Sequence, residues 1–172
     1  GAGIEYIAGY GSAADYSRYD AANDSWGVSS RRQAPIRLQQ LYAEIKFRGV
    51  YLLAGMKERT SGIVDGSLSS GDLVRSNNAR PIPAVSAGFV DFQNIPFTNG
   101  WVQIDGEISY GRFFDKKYRE ETFNYYHGLL DYNSYYTYKR CYFRTKPSMP
   151  FSVTVGMQAA GEFAGVSRFY ER

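Results

Sequence analysis

The sequence predicts an all-β protein: a segment of a larger up-and-down, antiparallel transmembrane β-barrel with long external loops and short periplasmic turns. Three observations lead there. The stretch Trp101 to Arg112 alternates over about ten residues, with Val102, Ile104, Gly106, Ile108 and Tyr110 on one side. Gln103, Asp105, Glu107 and Ser109 take the other side, because successive side chains of a strand point to opposite faces. That run exceeds the roughly five or six residues of a soluble strand and suits a tilted strand crossing a bilayer. Short and long connections also alternate along the chain. Finally, aromatics make up 17% of the 172 residues, sixteen of them Tyr, as interfacial girdles require.

Seven strands follow in order. Gly3 to Gly11 sets Ile4, Tyr6, Ala8 and Tyr10 on one face, and Ala13 to Pro35 reads as a long polar loop. A hairpin comes next, LQQLYAEIKF–RG–VYLLAGMKER. Leu41, Ala43, Ile45 and Phe47 share a face in its first arm, and Val50, Leu52, Ala54 and Met56 in its second. Arg48-Gly49 forms the tight turn, where Gly supplies a positive φ. Thr60 to Pro83 is a second long loop. Residues 84–92 form a strand, 93–99 a turn, and Trp101 opens the strand described above. Phe113 to Ser134 is a third long connection, with a short helix expected over Lys116 to Phe123. The final hairpin joins YYTYKRCYFRT to FSVTVGMQAAGEF through Lys146–Pro150.

The whole chain, 1–172, reads as one domain. Seven strands leave two unpaired edges, and an unsatisfied backbone group in hydrocarbon costs several kcal/mol. Further strands from a longer protein, or from other copies, are therefore expected, and Gly1 reads as an internal start. No run of 18 apolar residues is present, so no transmembrane helix is expected. The net charge of +3 does not argue for nucleic acid. Cys141 is alone and reads as a small packing residue. His127, the single histidine, has no second His or Cys beside it to make a metal site. Glu120 and Glu121 read as ordinary charged surface. Asp105 and Glu107 share a strand face at a spacing glycosidase carboxylates can show, but no nucleophile, base and orienting group assemble around them. No enzyme, cofactor or metal is expected.

The string LSSGDLVRSNNARPIP, followed by FVDFQNIPFTNGWVQIDGEISYG, resembles the capsule-assembly Wzi family of Gram-negative outer membranes. The resemblance runs upstream through LQQLYAEIKFRGVYLLAGMKER and downstream through YKRCYFRTKPSMPFSVTVGMQAAGEF, from about Leu38 onward. It implies a larger, non-enzymatic outer-membrane barrel that helps attach capsular polysaccharide in a lectin-like way. Its implied surroundings are the capsule, outer-membrane lipid and other envelope proteins.

Candidate glycan contacts are Arg75, Asn77, Asn78 and Arg80, whose planar donors suit hydroxyls and carboxylates. Beside that stands a structural reading, preferred for this segment. Pro81 and Pro83 stiffen a plug, while Arg80 pairs with lumen acids such as Asp105 or Glu107. Tyr125, Tyr126 and Tyr132 are equally suited to stacking on sugars and to interfacial packing, whereas Tyr135 to Tyr138 read as an aromatic girdle. Lys139 falls on one face of its strand and Arg140 and Arg144 on the other, leaving open which face meets lipid. A passive pore for small solutes is the alternative function, and a soluble ligand carrier a further one.

Overall fold

A computed structural model describes residues 1–20, 23–32, 34–59, 64–65, 67–72, 74–76, 79–116, 118–119 and 128–170, with only the backbone considered for 128–130 and 168–170. It is built of β1 (Ala2–Ala8), β2 (Ala14–Asp20), β3 (Ser25–Arg31), β4 (Ile36–Phe47), β5 (Val50–Met56) and β6 (Ala84–Phe89). There follow β7 (Gln93–Asn94), β8 (Val102–Arg112), β9 (Gly128–Tyr132), β10 (Tyr135–Thr145), β11 (Thr154–Phe163) and β12 (Val166–Tyr170).

The seven long strands form one antiparallel sheet in the order β1-β4-β5-β6-β8-β10-β11, with β7 beside β8. They are the seven strands the alternation predicts. The sheet is open: among the described residues nothing pairs with the outer edge of β1 or of β11. No helix among them is long and apolar enough to cross a membrane.

Local chemistry sets the register. Arg48 and Gly49 both have positive φ, 46° and 85°, as a two-residue type I′ hairpin requires, and Phe47 faces Val50 across it. Gly55, at φ 119°, lies so close to the Leu41 carbonyl that any Cβ would collide with the neighbouring strand.

The loops depart from expectation in three places. The segment expected as an irregular loop from Ala13 to Pro35 contains the β2–β3 hairpin, held in part by the edge-to-face pair Tyr19 and Trp26 at 5.5 Å. The connection from Phe113 to Ser134 contains β9, which pairs with an unforeseen final strand, β12. β4 begins at Ile36, ahead of the hairpin arm expected from Leu38, and carries an extra residue, Gln39, where its register with β1 shifts between Glu5 and Tyr6. Of the helix expected over Lys116 to Phe123, one turn is described, at Lys116, Tyr118 and Arg119. The remainder lies outside the described residues.

That turn is fastened by Asp115. Its carboxylate accepts the Asn133 N–H at 2.8 Å and the Arg119 Nε–H at 2.7 Å. Burial works against the charged form, but these donors win and hold the carboxyl below its ordinary value of 3.8. A lowered native pKa gives stability that is complete above the ordinary value and disappears as pH falls through the native one. In a pH titration followed by NMR, the Asn133 amide resonance should therefore stay fixed down to about pH 4 and move only below it. Asp115→Asn should abolish that movement.

Candidate functional site

Strand parity divides the large sheet into two unlike faces. One carries Tyr42, Glu44, Tyr51, Leu53, Ser86, Asp105, Glu107, Ser109, Tyr138, Arg140 and Tyr142 in register across five strands. The other carries Leu41, Ile45, Leu52, Val85, Ile108, Phe143, Val155 and Met157. Burial runs opposite to that of a water-soluble sheet. Glu107 is 5% exposed and Ser109 1%, whereas Ile108 between them is 63% exposed and Met157 73%. Soluble domains almost never bury Glu while leaving a sheet's aliphatic face open.

The buried acid is satisfied by a dense network. Glu107 Oε1 accepts from Arg59 Nη1, from Arg75 Nη2 at 3.0 Å and from Ser109 Oγ at 2.6 Å. Arg59 also donates to Ser109 Oγ at 3.0 Å and to Ser86 Oγ at 2.5 Å. Arg140, one strand over and directly opposite Glu107, reaches Asp105 Oδ2 at 3.2 Å and lies 3.7 Å from Glu107 Oε2. The Arg75 guanidinium lies on the Tyr138 ring at 3.4 Å, combining a charge pair with a cation–π contact. Nearer the first strands, Lys57 donates to both oxygens of Glu44 at 3.0 Å, and Lys46 lies 3.4 Å from the same carboxylate.

The segment after β5 therefore folds back over the polar face, and its own sequence explains how Arg75 is presented. Asp72 Oδ1 accepts the N–H groups of Val74 and Arg75, each at 2.7 Å, an Asx-type turn that fixes the backbone leading into Arg75. The Asp72 N–H donates to the Arg75 carbonyl at 2.9 Å, closing the loop.

The residues expected to bind glycan are distributed unevenly. Arg75 and Arg80 both line a cavity of about 260 Å³ on the polar face. Arg80, expected to pair with Asp105 or Glu107, instead donates to the Leu38 carbonyl at 3.1 Å. Arg59, Arg75 and Arg140 take those acids, because the Asx turn sends Arg75 inward while Arg80 stays exposed. Tyr132 is buried, with the Lys116 ammonium 5.6 Å from its ring centre, so it packs within the fold. Asn77, Asn78, Tyr125, Tyr126, His127, Glu120 and Glu121 lie outside the described residues.

Arg59 and Arg140 belong to the site although the sequence did not single them out. Phase was the available signal: Arg140 shares parity with Tyr138 and Tyr142, and Arg59 follows Lys57 by two. Of the expected girdle tyrosines, Tyr135 lies on the apolar face, stacked with Tyr110 at 5.7 Å and Phe163 at 5.9 Å. Tyr136 and Tyr138 point to the polar face, in phase with Arg140. In β10, Arg140 and Arg144 share the polar face and Lys139 stands on the apolar one.

These features define an antiparallel all-β sheet with a charged, covered face and an open aliphatic one. No protein family, curated protein or solved structure matches the chain.

Proposed function

We propose that this chain is part of the wall of a bacterial outer-membrane β-barrel, and that the barrel holds capsular polysaccharide at the cell surface without catalysis. The inverted burial carries the first half: acids and serines covered, aliphatic rows open. β8 has 11 residues, roughly 36 Å of strand, which at a tilt near 45° covers about the 25 Å band of an outer-membrane wall.

Aromatic side chains stand at both ends of the open face. Tyr110, Tyr135 and Phe163 cluster at the long-loop end, while Phe47, Trp101 and Phe151 are exposed at the short-turn end. Arg112 lies at the loop end of the apolar rows beside Tyr135, and Lys139 is the one charge further in, among the described strand residues. It sits four residues from the loop end of β10, so its stem can carry the ammonium toward the interface. Further strands pair with the open edges of β1 and β11 in this reading, and the segment carrying Arg59 and Arg75 is a plug inside the lumen.

The glycan half is supported by the resemblance described above, and by the surplus of arginine and tyrosine at the long-loop end. Fastening of the plug to Glu107 disfavours an open pore. The test compares cell-bound with shed polysaccharide in cells with and without the protein. Loss of polysaccharide to the medium at normal total yield is the expected result. Unchanged retention, together with steady ion conductance of the purified protein in planar bilayers, would replace the attachment role with that of a channel.

A further inference from the structure

The cavity at the long-loop end of the polar face has an unbalanced charge. Lys57, Arg59, Arg75 and Arg80 line it, with Phe113 and Tyr136 forming an aromatic wall and no carboxylate among the lining residues. The carboxylates bonded to those cations are already shared. Glu107 serves Arg59, Arg75 and Arg140, Glu44 serves Lys57 and Lys46, and Asp105 serves Arg140. Among the described residues, six cationic groups, Arg80 included, thus meet three carboxylates in these ion pairs. Arg80 is exposed and spends one donor on the Leu38 carbonyl, and no carboxylate among the described residues pairs with it. The rest of its planar fork matches a carboxylate bidentately.

We infer that this cavity binds a single hexuronate residue, a pyranose bearing one carboxylate, with Arg80 as the carboxylate receptor. This deepens the glycan reading above and rests on it. Three observations select the class. Net positive charge favours an anion over a neutral sugar. The edge-to-face pair of Phe113 and Tyr136, 5.8 Å apart, offers an apolar wall to the C–H face of a sugar ring, which a compact phosphate would not use. A volume of about 260 Å³ falls just below the roughly 300–1,000 Å³ of drug-sized sites, and so suits one ring rather than a chain.

The test is calorimetric titration of the detergent-solubilised protein with glucuronate, glucose and inorganic phosphate in turn. Glucuronate should bind at least about tenfold more tightly than either competitor, because glucose lacks the carboxylate and phosphate lacks the ring. Arg80→Gln should erase that preference and Arg80→Lys should restore part of it. Glucose binding as well as glucuronate, or phosphate matching it, would overturn the inference. So would an Arg80→Gln protein that keeps the preference. The outcome is separable from the cellular role: glucuronate binding with unchanged capsule retention sinks the attachment reading alone. Capsule loss on deletion, with no glucuronate binding, sinks only this one.

Discussion

Glu107→Ala should destabilise the protein by about 3–5 kcal/mol, the cost of stranding buried charges whose partner has been removed. Arg59, Arg75 and Arg140 all converge on this carboxylate, and their side chains are only 20%, 16% and 16% exposed. Among the described residues, removing it leaves Arg140 with Asp105 alone, and Arg59 and Arg75 with no carboxylate partner. Glu107→Gln should cost less, because the amide oxygen still accepts from Ser109 and an arginine while the charge is gone. Urea unfolding in micelles measures both. The Ala variant should also expose the segment carrying Arg75 to protease before the wall unfolds, since that segment loses a main attachment. A Glu107→Ala protein within about 0.5 kcal/mol of the parent would mean that the network does not hold the fold.

Leu41→Lys is the second large effect. Leu41 is half exposed, sits sixth of the 12 residues of β4 on the open apolar face, and faces Ile4 on one side and Met56 on the other. On a surface facing water such a change stays within about 0.5 kcal/mol. Against hydrocarbon a lysine near the midplane costs about 2–4 kcal/mol. Unfolding in lipid vesicles should show the larger penalty, and Leu41→Ala should not reproduce it. A neutral result would mean that water, and not lipid, meets this face.

Strands were legible because period-two alternation is a local property. Val102 to Tyr110 and Leu41 to Phe47 announce their faces without reference to any neighbour, and Arg48-Gly49 announces its turn. The β2–β3 hairpin was hidden by composition, since Ser, Asp and Arg there imitate loop chemistry while Tyr19 and Trp26 do the packing. Pairing of β9 with β12 was hidden for another reason. Asp131 meets Ser167 across 36 residues of chain, and no local signal encodes so distant a partner.

The site shows the same division. Its acids, Asp105 and Glu107, could be read from strand phase. Which arginines answer them could not, because that depends on how the segment after β5 folds back. The Asx turn at Asp72 commits Arg75 to Glu107 and leaves Arg80 at the cavity mouth, whereas residue type alone treats the two alike. Lys139 and Arg140 are adjacent yet lie on opposite faces, and only the register with Ile108 and Glu107 tells which is which.

The central claim is that lipid covers the open aliphatic face, and the lone cysteine reports on it directly. Cys141 stands on that face, opposite Gly106 and Met157. With a nitroxide attached to Cys141 and the protein in lipid vesicles, collision with dissolved oxygen and with a water-soluble nickel chelate can be compared by EPR. Lipid contact predicts frequent oxygen collision and little nickel collision. Ready access for the nickel chelate, or exclusion of both reagents as in a protein–protein contact, would contradict a membrane-facing wall.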